Sequence, residues 1–444
     1  MSKKDNTKAK TRVSQLEAEV HLDIPDDEIW TYKIEGLAAP HINKPFKNAT
    51  AKKIALVLVI IVAVSLSMFF SIYSVVRSTG LEFSENETGY TLTRYSDTEK
   101  VPLAEIDVDF VFEVKDGKQV KNTDQVITEI AAFAFNESPV KVVNIGPGVQ
   151  KIDNKAFYSC WSLERIEVDE NNPYYSDIDG VLYNKDQTVL MNYPCNHDQY
   201  LRVKYGYDIP EDQKLDPEKD KDGREAQDKK YKEPFRGENE EEYNKRFNDS
   251  EHTLKQYRID IQTYVVPATV KVINEVAFSY TNLQEIYLPE GLEEIGSCGF
   301  FKLHEPKDEW GNTDSLNNIY TYTADDYNGD GETKTRFTSK EALGEIYLSL
   351  PEGLTSIGSD AFSYNKELNY IFVPSSVTFI GHHAFYWDCA HKGENIVYTP
   401  LSESEFDEKV DAGDQWRPQC DTGLFKKSVV INYSAERQAM PEAK

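Results

Sequence analysis

One acidic turn carries the residues best suited to bind a metal ion. In the segment Asp326-x-Asn328-x-Asp330-Gly331, three oxygen-bearing side chains alternate and the glycine permits a sharp bend. An EF-hand calcium loop opens in this way, but it also needs a glutamate at its twelfth position. Phe337 stands at that position here. The segment is either a calcium site without the usual glutamate or an ordinary polar turn, and Phe337 favours the turn.

Cysteine and histidine side chains offer two other kinds of chemistry. Cys298 lies between small residues, but the residues that surround the nucleophile of papain-like proteases are missing. A zinc site needs ligands that converge tetrahedrally. The candidates for such a site are His382, His383, Cys389 and His391. No complete set of nucleophile, base and metal ligand is found, so we expect no enzymatic activity and no cofactor other than the candidate calcium.

Composition excludes several classes of protein. The 444 residues include 49 basic and 76 acidic side chains, which gives a formal charge of −27. This excess of acid opposes binding to nucleic acid, because phosphates need neutralising cations. Five cysteines are too few for a disulfide scaffold in a chain of this length. Whether Cys195 and Cys420 form a disulfide is left open by the sequence.

One uncharged, apolar segment covers residues 54–76. A helix of this length spans roughly 35 Å, and the hydrocarbon core of a bilayer is about 30 Å thick. The basic residues Lys44, Lys47, Lys52 and Lys53 precede it, and acidic residues follow it. We therefore expect a single transmembrane helix in the lipid bilayer of the plasma membrane, with the N-terminus cytoplasmic and the C-terminal part extracellular. A cleaved signal peptide is disfavoured by the long preceding segment.

A short motif of the form Ile-x-x-x-small-Phe recurs six times after this segment. Its phenylalanines are Phe135, Phe157, Phe278, Phe300, Phe362 and Phe385. Three pairs of neighbouring copies are 22 or 23 residues apart, and the longer gaps hold insertions. Each motif is followed by a short run of the type Leu-x-x-Ile-x-Leu, such as Leu283-x-x-Ile286-x-Leu288. Copies that cannot bury their apolar faces alone do so by stacking, so the pattern predicts a solenoid.

These motifs resemble a known family of repeats. The segments 354–362 and 377–385 are similar to the BspA-like, or treponemal-type, leucine-rich repeats of bacterial surface proteins. The segment from Asn172 to Asp186 resembles the hairpin that often interrupts such arrays. The resemblance covers residues 90–195 and 264–433, and it implies a cell-surface protein used in adhesion or host interaction, with no catalytic residues. It also implies that Cys160 and Cys389 are buried small apolar residues.

We therefore expect a single transmembrane helix followed by a leucine-rich-repeat solenoid ectodomain of short parallel strands, with a β-hairpin and helical insertions. The expected segments are a cytoplasmic tail (1–53), the span (54–76), a linker and N-terminal cap (77–125), repeats with the hairpin (126–194), a charged insertion (195–262), repeats with an insertion at 302–342 and a C-terminal cap (263–433), and a tail (434–444). Helical spacing of apolar residues predicts a helix late in the first insertion. Alternation at 319–323 and 333–337 predicts a hairpin in the second.

The outward face of the predicted strands carries the candidate binding residues. Residues that flank each inward-facing isoleucine are expected to point to solvent. One column then holds Tyr287, Tyr347 and Phe372, and the neighbouring column holds Glu285, Glu345 and Tyr370. Such aromatic rows either stabilise the sheet or bind a partner. A rim of glutamates would favour a basic or amine-bearing partner.

The leading hypothesis is a membrane-anchored surface protein that binds a protein or glycan at this strand face, with adhesion implied by the family resemblance. The alternative is an envelope sensor or assembly scaffold that signals through its cytoplasmic tail. The tail segment from Ile24 to Ile34 is acidic and carries aromatic residues. It is either a docking peptide or a segment lying at the membrane interface.

Overall fold

The computed structural model describes residues 22–23, 33–34, 81–95, 103–210, 213–216, 218–228, 232, 239–247, 250–301, 318–322, 347–363, 365, 370–385, 395–411 and 429–435. The chain divides into two units, Met1–Ser78 and Thr79–Lys444. In the first unit, β1 (Leu22–Asp23) pairs antiparallel with β2 (Lys33–Ile34). Among all these described residues, no helix has the length and apolar character to cross a membrane. The predicted span at 54–76 lies outside them.

The second unit begins with strands, in the segment that is expected to hold the linker and N-terminal cap (77–125). The N-terminal sheet contains β3 (Leu81–Glu85), β4 (Tyr90–Tyr95), β7 (Lys118–Ile130) and β6 (Phe110–Lys115), in this spatial order. β3–β4 and β6–β7 are antiparallel pairs, and β4–β7 is parallel. Leu92, Phe112 and Ile127 are buried in the same apolar cluster as Phe135. The sheet therefore covers the apolar end of the first repeat, as a terminal cap must.

A parallel sheet of three strands holds the first repeats. It contains β5 (Glu105–Val108), β8 (Val142–Ile145) and β10 (Arg165–Val168), with β8 in the middle. Ile106, Val143 and Ile166 are aligned in register and buried. β5 thus extends the parallel array toward the N-terminus, into the segment that the sequence assigns to the linker and N-terminal cap. A further short strand, β9 (Lys151–Ile152), pairs with β7.

The predicted hairpin is confirmed. β11 (Tyr175–Ile178) and β12 (Val181–Asn184) are antiparallel, and both turn residues, Asp179 (φ +52°) and Gly180 (φ +81°), are left-handed. Two left-handed residues in a two-residue loop are typical of a type I′ turn, which Asp-Gly suits. β13 (Val189–Asn192) pairs antiparallel with β12 and returns the chain to the repeat array.

The charged insertion contains four helices among its described residues. They are α1 (His197–Lys204), α2 (Lys221–Asp228), α3 (Glu240–Phe247) and α4 (Leu254–Ile261). The later part holds two helices where the sequence predicts one, because Thr253 begins a new helix: its hydroxyl oxygen accepts a hydrogen bond from the Gln256 amide at 3.1 Å. The aromatic residues Tyr243 and Tyr257 are buried, one in each helix.

Two parallel arrays build the second block of repeats. The longer strands, in spatial order, are β14 (Thr263–Val265), β16 (Glu285–Pro289), β18 (Asn318–Tyr322), β19 (Tyr347–Ser349), β21 (Tyr370–Phe372), β23 (Asn395–Tyr398) and β24 (Val429–Asn432). The two-residue strands β15 (Val272–Ile273), β17 (Glu294–Ile295), β20 (Ser356–Ile357) and β22 (Phe379–Ile380) continue the sheet of β11, β12 and β13. A fifth described helix, α5 (Glu403–Asp411), lies between β23 and β24.

The repeated phenylalanines form the core. Phe278, Phe300, Phe362 and Phe385 stack face to face, with ring centroids 5.1, 5.1 and 5.5 Å apart and interplanar angles of 5–7°. Phe135 and Phe157 stack in the same way in the first block, at 5.1 Å. The motif phenylalanines therefore fill the interior, and each ring is covered by the ring of the neighbouring motif.

The second insertion contributes a repeat strand, so the expected hairpin is wrong for its first arm. β18 pairs parallel with β16 on one side and β19 on the other. Ile319 is therefore aligned with Ile286 and Leu348. The expected second arm at 333–337 lies outside the described residues. Local alternation fits a hairpin and a solenoid strand equally well, and only the pairing partners distinguish them.

The register of β19 also differs from the predicted one. The run Leu343-x-x-Ile346-x-Leu348 has the motif spacing, but Leu348 aligns with Ile371, the residue equivalent to Ile286. The copy that matches the neighbouring strands is therefore Leu348-x-Leu350, followed by Pro351 as Leu288 is followed by Pro289. The runs Ile346-x-Leu348 and Leu348-x-Leu350 overlap and have the same spacing. The strand pairing shows that the second run is the one in register with the neighbouring strands.

Candidate binding cleft on the strand face

The expectation of an exposed aromatic row is wrong at Tyr287 and Phe372, which are 0% and 1% exposed. Glu285 is only 2% exposed, and it accepts a hydrogen bond from Tyr287 Oη at 3.3 Å. All five residues of β16 are buried. Both faces of this strand are covered, so the alternation of residues no longer separates core from solvent.

The remaining predicted residues do not join Tyr287. Tyr347 and Tyr370 are paired in register with each other, and Ser349 is aligned with Phe372. Glu345 lies outside the described residues, as do the predicted calcium ligands Asp326, Asn328 and Asp330. Within the ranges that the structure describes, no group of three or more His, Cys, Asp or Glu side chains is placed to hold a metal ion.

The described cysteines are held as thiols. Cys160 is buried, as predicted, and its Sγ donates to the Phe135 carbonyl oxygen at 2.8 Å. Burial raises the pKa of Cys298 and that of Cys195 to about 12. Cys195 is free. A thiol with such a pKa is protonated at neutral pH and is a poor nucleophile, and Cys389 and Cys420 lie outside the described residues.

The strand face is open at the N-terminal end of the array. Asp107 of β5, Asn144 of β8 and Glu167 of β10 occupy one row across adjacent parallel strands. Glu167 is exposed, and the other two side chains are half-buried. The outward direction of Asn144 and Glu167 follows from the repeat pattern. Asp107 was missed because no repeat motif precedes β5 in the sequence.

A cleft of about 310 Å³ opens along this row. Its polar lining, called the acidic cleft below, consists of Asp107, Asp109, Lys121, Asn144, Glu167 and Asp169. Gly146 is part of its floor: a Cβ on this residue would lie 2.6 Å from Asp109 Cβ. Glycine at this position lets the loop ends of β5 and β8 approach each other.

Hydrogen bonds hold the side chains of the cleft in place. Lys121 Nζ donates to Asp107 Oδ2 at 2.7 Å and to Asp109 Oδ2 at 2.8 Å. Asn144 Nδ2 donates to Asp107 Oδ1 at 2.8 Å. Glu167 Oε1 accepts from Arg165 Nε at 2.6 Å. Side chains fixed by such bonds lose little freedom when a partner binds.

The same bonds keep the cleft charged. Burial acts to raise the pKa of Asp107, but hydrogen bonds from Lys121 and Asn144 outweigh it and lower the pKa below 3.8. Burial likewise acts to lower the pKa of Lys121, and its bonds to Asp107 and Asp109 outweigh this and raise the pKa above 10.5. Four carboxylates line the cleft against one ammonium group, so it presents a net negative charge.

The sequence matches the family described as BspA type Leucine rich repeat region, in six copies over residues 109–185, 253–326 and 333–398. No curated protein matches the chain. Similar solved structures include a leucine-rich repeat protein from Eubacterium ventriosum, with 17% identity, a TM-score of 0.25, and 60% of this chain and 63% of that chain covered.

A leucine rich cell surface protein from Faecalibacterium prausnitzii has 20% identity and a TM-score of 0.34, with 63% of this chain and 53% of that chain covered. The pneumococcal vaccine antigen PcpA has 14% identity and a TM-score of 0.32, with 75% of this chain and 67% of that chain covered. The chain spans less than two thirds of the length of the first two proteins. Structural similarities with such low TM-scores do not strengthen the assignment that rests on the family match. On the six matched copies and the stacked coils they form, the repeats of this chain are leucine-rich repeats of the BspA type.

Proposed function

We propose that this protein is a membrane-anchored cell-surface protein that binds a partner at the acidic cleft. The observation that supports this most is the row of Asp107, Asn144 and Glu167 on three adjacent strands, open to solvent and held by side-chain hydrogen bonds. A rigid, open, charged surface on a repeat array suits recognition. Because the repeats are of the BspA type, the role that we propose for this binding is adhesion.

The partner that fits this cleft is a protein with an exposed lysine or arginine. Glu167 of β10 and Asp169 just after it are exposed. β10 is at the opposite edge of the sheet from β5, whose Asp107 binds Lys121. A carboxylate accepts charge-assisted hydrogen bonds from ammonium and guanidinium groups, which are stronger than neutral ones. The acidic charge of the whole chain would also speed the approach of a basic partner.

Anchoring in the plasma membrane rests on the apolar segment 54–76 and the lysines before it. With that orientation, the repeats would lie outside the cell. Protease treatment of intact cells that express the chain tests this topology. Cleavage within the repeats but not within residues 1–53 is the expected result, and protection of the repeats would contradict it.

A binding screen tests the acidic cleft. The full chain, purified in detergent, is applied to immobilised extracellular-matrix proteins and compared with the double variant Glu167→Gln, Asp169→Asn. We expect about a tenfold weaker interaction in the variant and a weaker interaction of the wild type at high salt. The matched control, Asp186→Asn with Glu294→Gln, removes the same charge at exposed positions outside the cleft. An equal loss of affinity in both variants would mean that the interaction depends on overall charge and not on the acidic cleft.

The tail supports a second candidate, an envelope sensor or scaffold. The antiparallel pairing of Leu22 and Asp23 with Ile34 and Lys33 lies at the tail segment that carries the acidic and aromatic residues. Deletion of residues 1–40 distinguishes the candidates. Cell adhesion that is unchanged by the deletion excludes a signalling requirement, whereas its loss with normal surface levels supports the sensor.

A further inference from the structure

Five aromatic side chains form a continuous stripe in the turns that follow β7 and the two-residue strands β9, β15 and β17. The members of this aromatic stripe are Phe133, Tyr158, Trp161, Tyr280 and Phe301. Successive ring centroids are 5.9 Å (Phe133–Tyr158), 5.8 Å (Tyr158–Tyr280) and 5.7 Å (Tyr280–Phe301) apart, and Trp161 lies 4.6 Å from Tyr280. The stripe crosses from the first block of repeats to the second.

Packing of the core does not account for this stripe. Phe133 is 47% exposed and Trp161 is 42% exposed, so large parts of both rings are in contact with water. Phe133 has φ +59°, a left-handed conformation that Asn or Gly adopts more easily. The same conformation recurs at the equivalent turn residues of later repeats, such as Val276 (φ +56°) and Cys298 (φ +55°), so it belongs to the repeat turn and not to Phe133 alone. A ring that is nearly half exposed contributes little to folding, which points to a role in binding.

Polar groups run beside the rings in three pairs, each linking the two blocks. Asn274 Nδ2 donates to Asn154 Oδ1 at 2.8 Å, and Lys155 Nζ lies 2.8 Å from Glu275 Oε1. The hydroxyls of Tyr158 and Tyr280 are 3.1 Å apart. The one cation and the one anion among these pairs compensate each other. These three pairs therefore place amides and hydroxyls beside the aromatic rings and carry no net charge between them.

We propose that the aromatic stripe is a binding site for a neutral glycan. The C–H groups of a pyranose ring carry partial positive charge and pack against the negative face of an aromatic ring. The sugar hydroxyls would exchange hydrogen bonds with the Asn154–Asn274 and Tyr158–Tyr280 pairs. Aromatic contacts at steps of nearly 6 Å suit a linear oligosaccharide that lies along the turns.

The geometry favours a glycan over a protein partner. Neighbouring rings are tilted by 68–88°, so the stripe is a stepped surface and not a flat apolar patch. Protein hot spots lie at the dry centre of a large surrounding contact area. Here polar pairs stand directly beside the rings. A protein that requires the same rings is the alternative outcome of the test.

This site is independent of the proposed binding function of the acidic cleft. The cleft lies on β5, β8 and β10, which form their own sheet, with Lys121 of β7 at its edge. The stripe lies in the turns after β7, β9, β15 and β17. The variant Glu167→Gln, Asp169→Asn is therefore expected to bind glycans like the wild type. A negative result for binding at the acidic cleft would therefore not affect the proposal for the aromatic stripe, and the reverse also holds.

The experiment measures binding of the full chain to immobilised oligosaccharides of glucose, galactose, mannose and N-acetylglucosamine. The detergent is a polyoxyethylene ether, because maltoside and glucoside detergents carry competing sugars. The test variants are Phe133→Asn and Trp161→Ala. The control is Phe379→Ala, which removes a ring of similar exposure, 38%, in a different repeat.

We expect at least one neutral oligosaccharide to bind, with about a tenfold loss in each test variant and no loss in the control. Phe133→Asn should keep or raise the melting temperature, because Asn accepts φ +59° more easily, so its loss of binding cannot be misfolding. The proposal is overturned if no neutral oligosaccharide binds at millimolar concentration, or if both variants bind like the wild type. Stripe-dependent capture of a matrix protein without glycan binding also overturns it.

Discussion

At the residue scale, single glycines set how closely adjacent coils approach. A Cβ on Gly358 would lie 2.4 Å from the Ser297 amide nitrogen, and one on Gly381 would lie 2.3 Å from that of Ser359. Both distances are far below van der Waals contact, and the opposing atoms belong to the backbone of the neighbouring coil. A side chain at either position would push two coils apart and disturb the stack of phenylalanines inside.

The substitution Gly358→Ala should therefore lower the free energy of unfolding by about 1–3 kcal/mol, because the extra methyl group has no space. Chemical denaturation of the purified chain measures this. Gly291→Ala is the matched control, since nothing lies within 4 Å of its added Cβ, and it should change stability little. Equal effects of the two substitutions would contradict a role for close coil contact.

At the scale of elements, Lys121 connects the cap to the first repeat. It lies on β7, and its ammonium group binds Asp107 of β5 and Asp109 in the loop after β5. The depressed pKa of Asp107 means that the folded state binds its proton less tightly than the unfolded chain does. This contribution to stability is present above the ordinary carboxyl pKa and is lost as pH falls through the lowered pKa.

Replacement Lys121→Met should accordingly lower the melting temperature near pH 7, and the difference from wild type should shrink as pH falls below about 4. Thermal unfolding at pH 7 and pH 3 measures it. Lys115→Met serves as the control, because Lys115 and Glu113 form an exposed ion pair of the kind that contributes little. If the melting temperatures of Lys121→Met and the wild type differ by the same amount at both pH values, the Lys121–Asp107 ion pair is excluded as the cause.

At the scale of the whole molecule, the described residues of the repeats bury two apolar clusters. One contains Phe135 and Phe157 together with the cap, and the other contains the stack from Phe278 to Phe385. In a solenoid each coil is stabilised mainly by its neighbours. Damage to one coil should therefore spread along its own cluster before it reaches the other.

Hydrogen exchange in the variant Phe300→Ala tests this organisation. Loss of a ring stacked between two others should cost about 3–5 kcal/mol and speed exchange in β16 and β20. The amides of β5, β8 and β10 should exchange as in the wild type. Phe379→Ala, which removes an exposed ring, should leave both clusters unchanged. A uniform rise of exchange throughout the repeats would indicate one cooperative unit instead.

Sequence alone determined the features that depend on local spacing. The repeated small-Phe motif predicts one ring per coil, and the structure stacks Phe278, Phe300 and Phe362 accordingly. The resemblance of residues 172–186 to the family hairpin predicts β11 and β12, and the turn residues Asp179 and Gly180 adopt the two left-handed positions that it needs. Burial of Cys160 follows from its place in the repeat.

Tertiary structure decided which strands pair and which faces are covered. Ile346 fits the full motif with Leu343 before it, whereas Leu348 has Glu345 at that place, yet pairing with Ile371 selects Leu348. Tyr287 alternates like an exposed residue but is buried, whereas the row of Asp107, Asn144 and Glu167 opens a cleft. Alternation records only that two faces exist. Whether a face meets solvent depends on segments far away in the chain, so no local pattern contains that information.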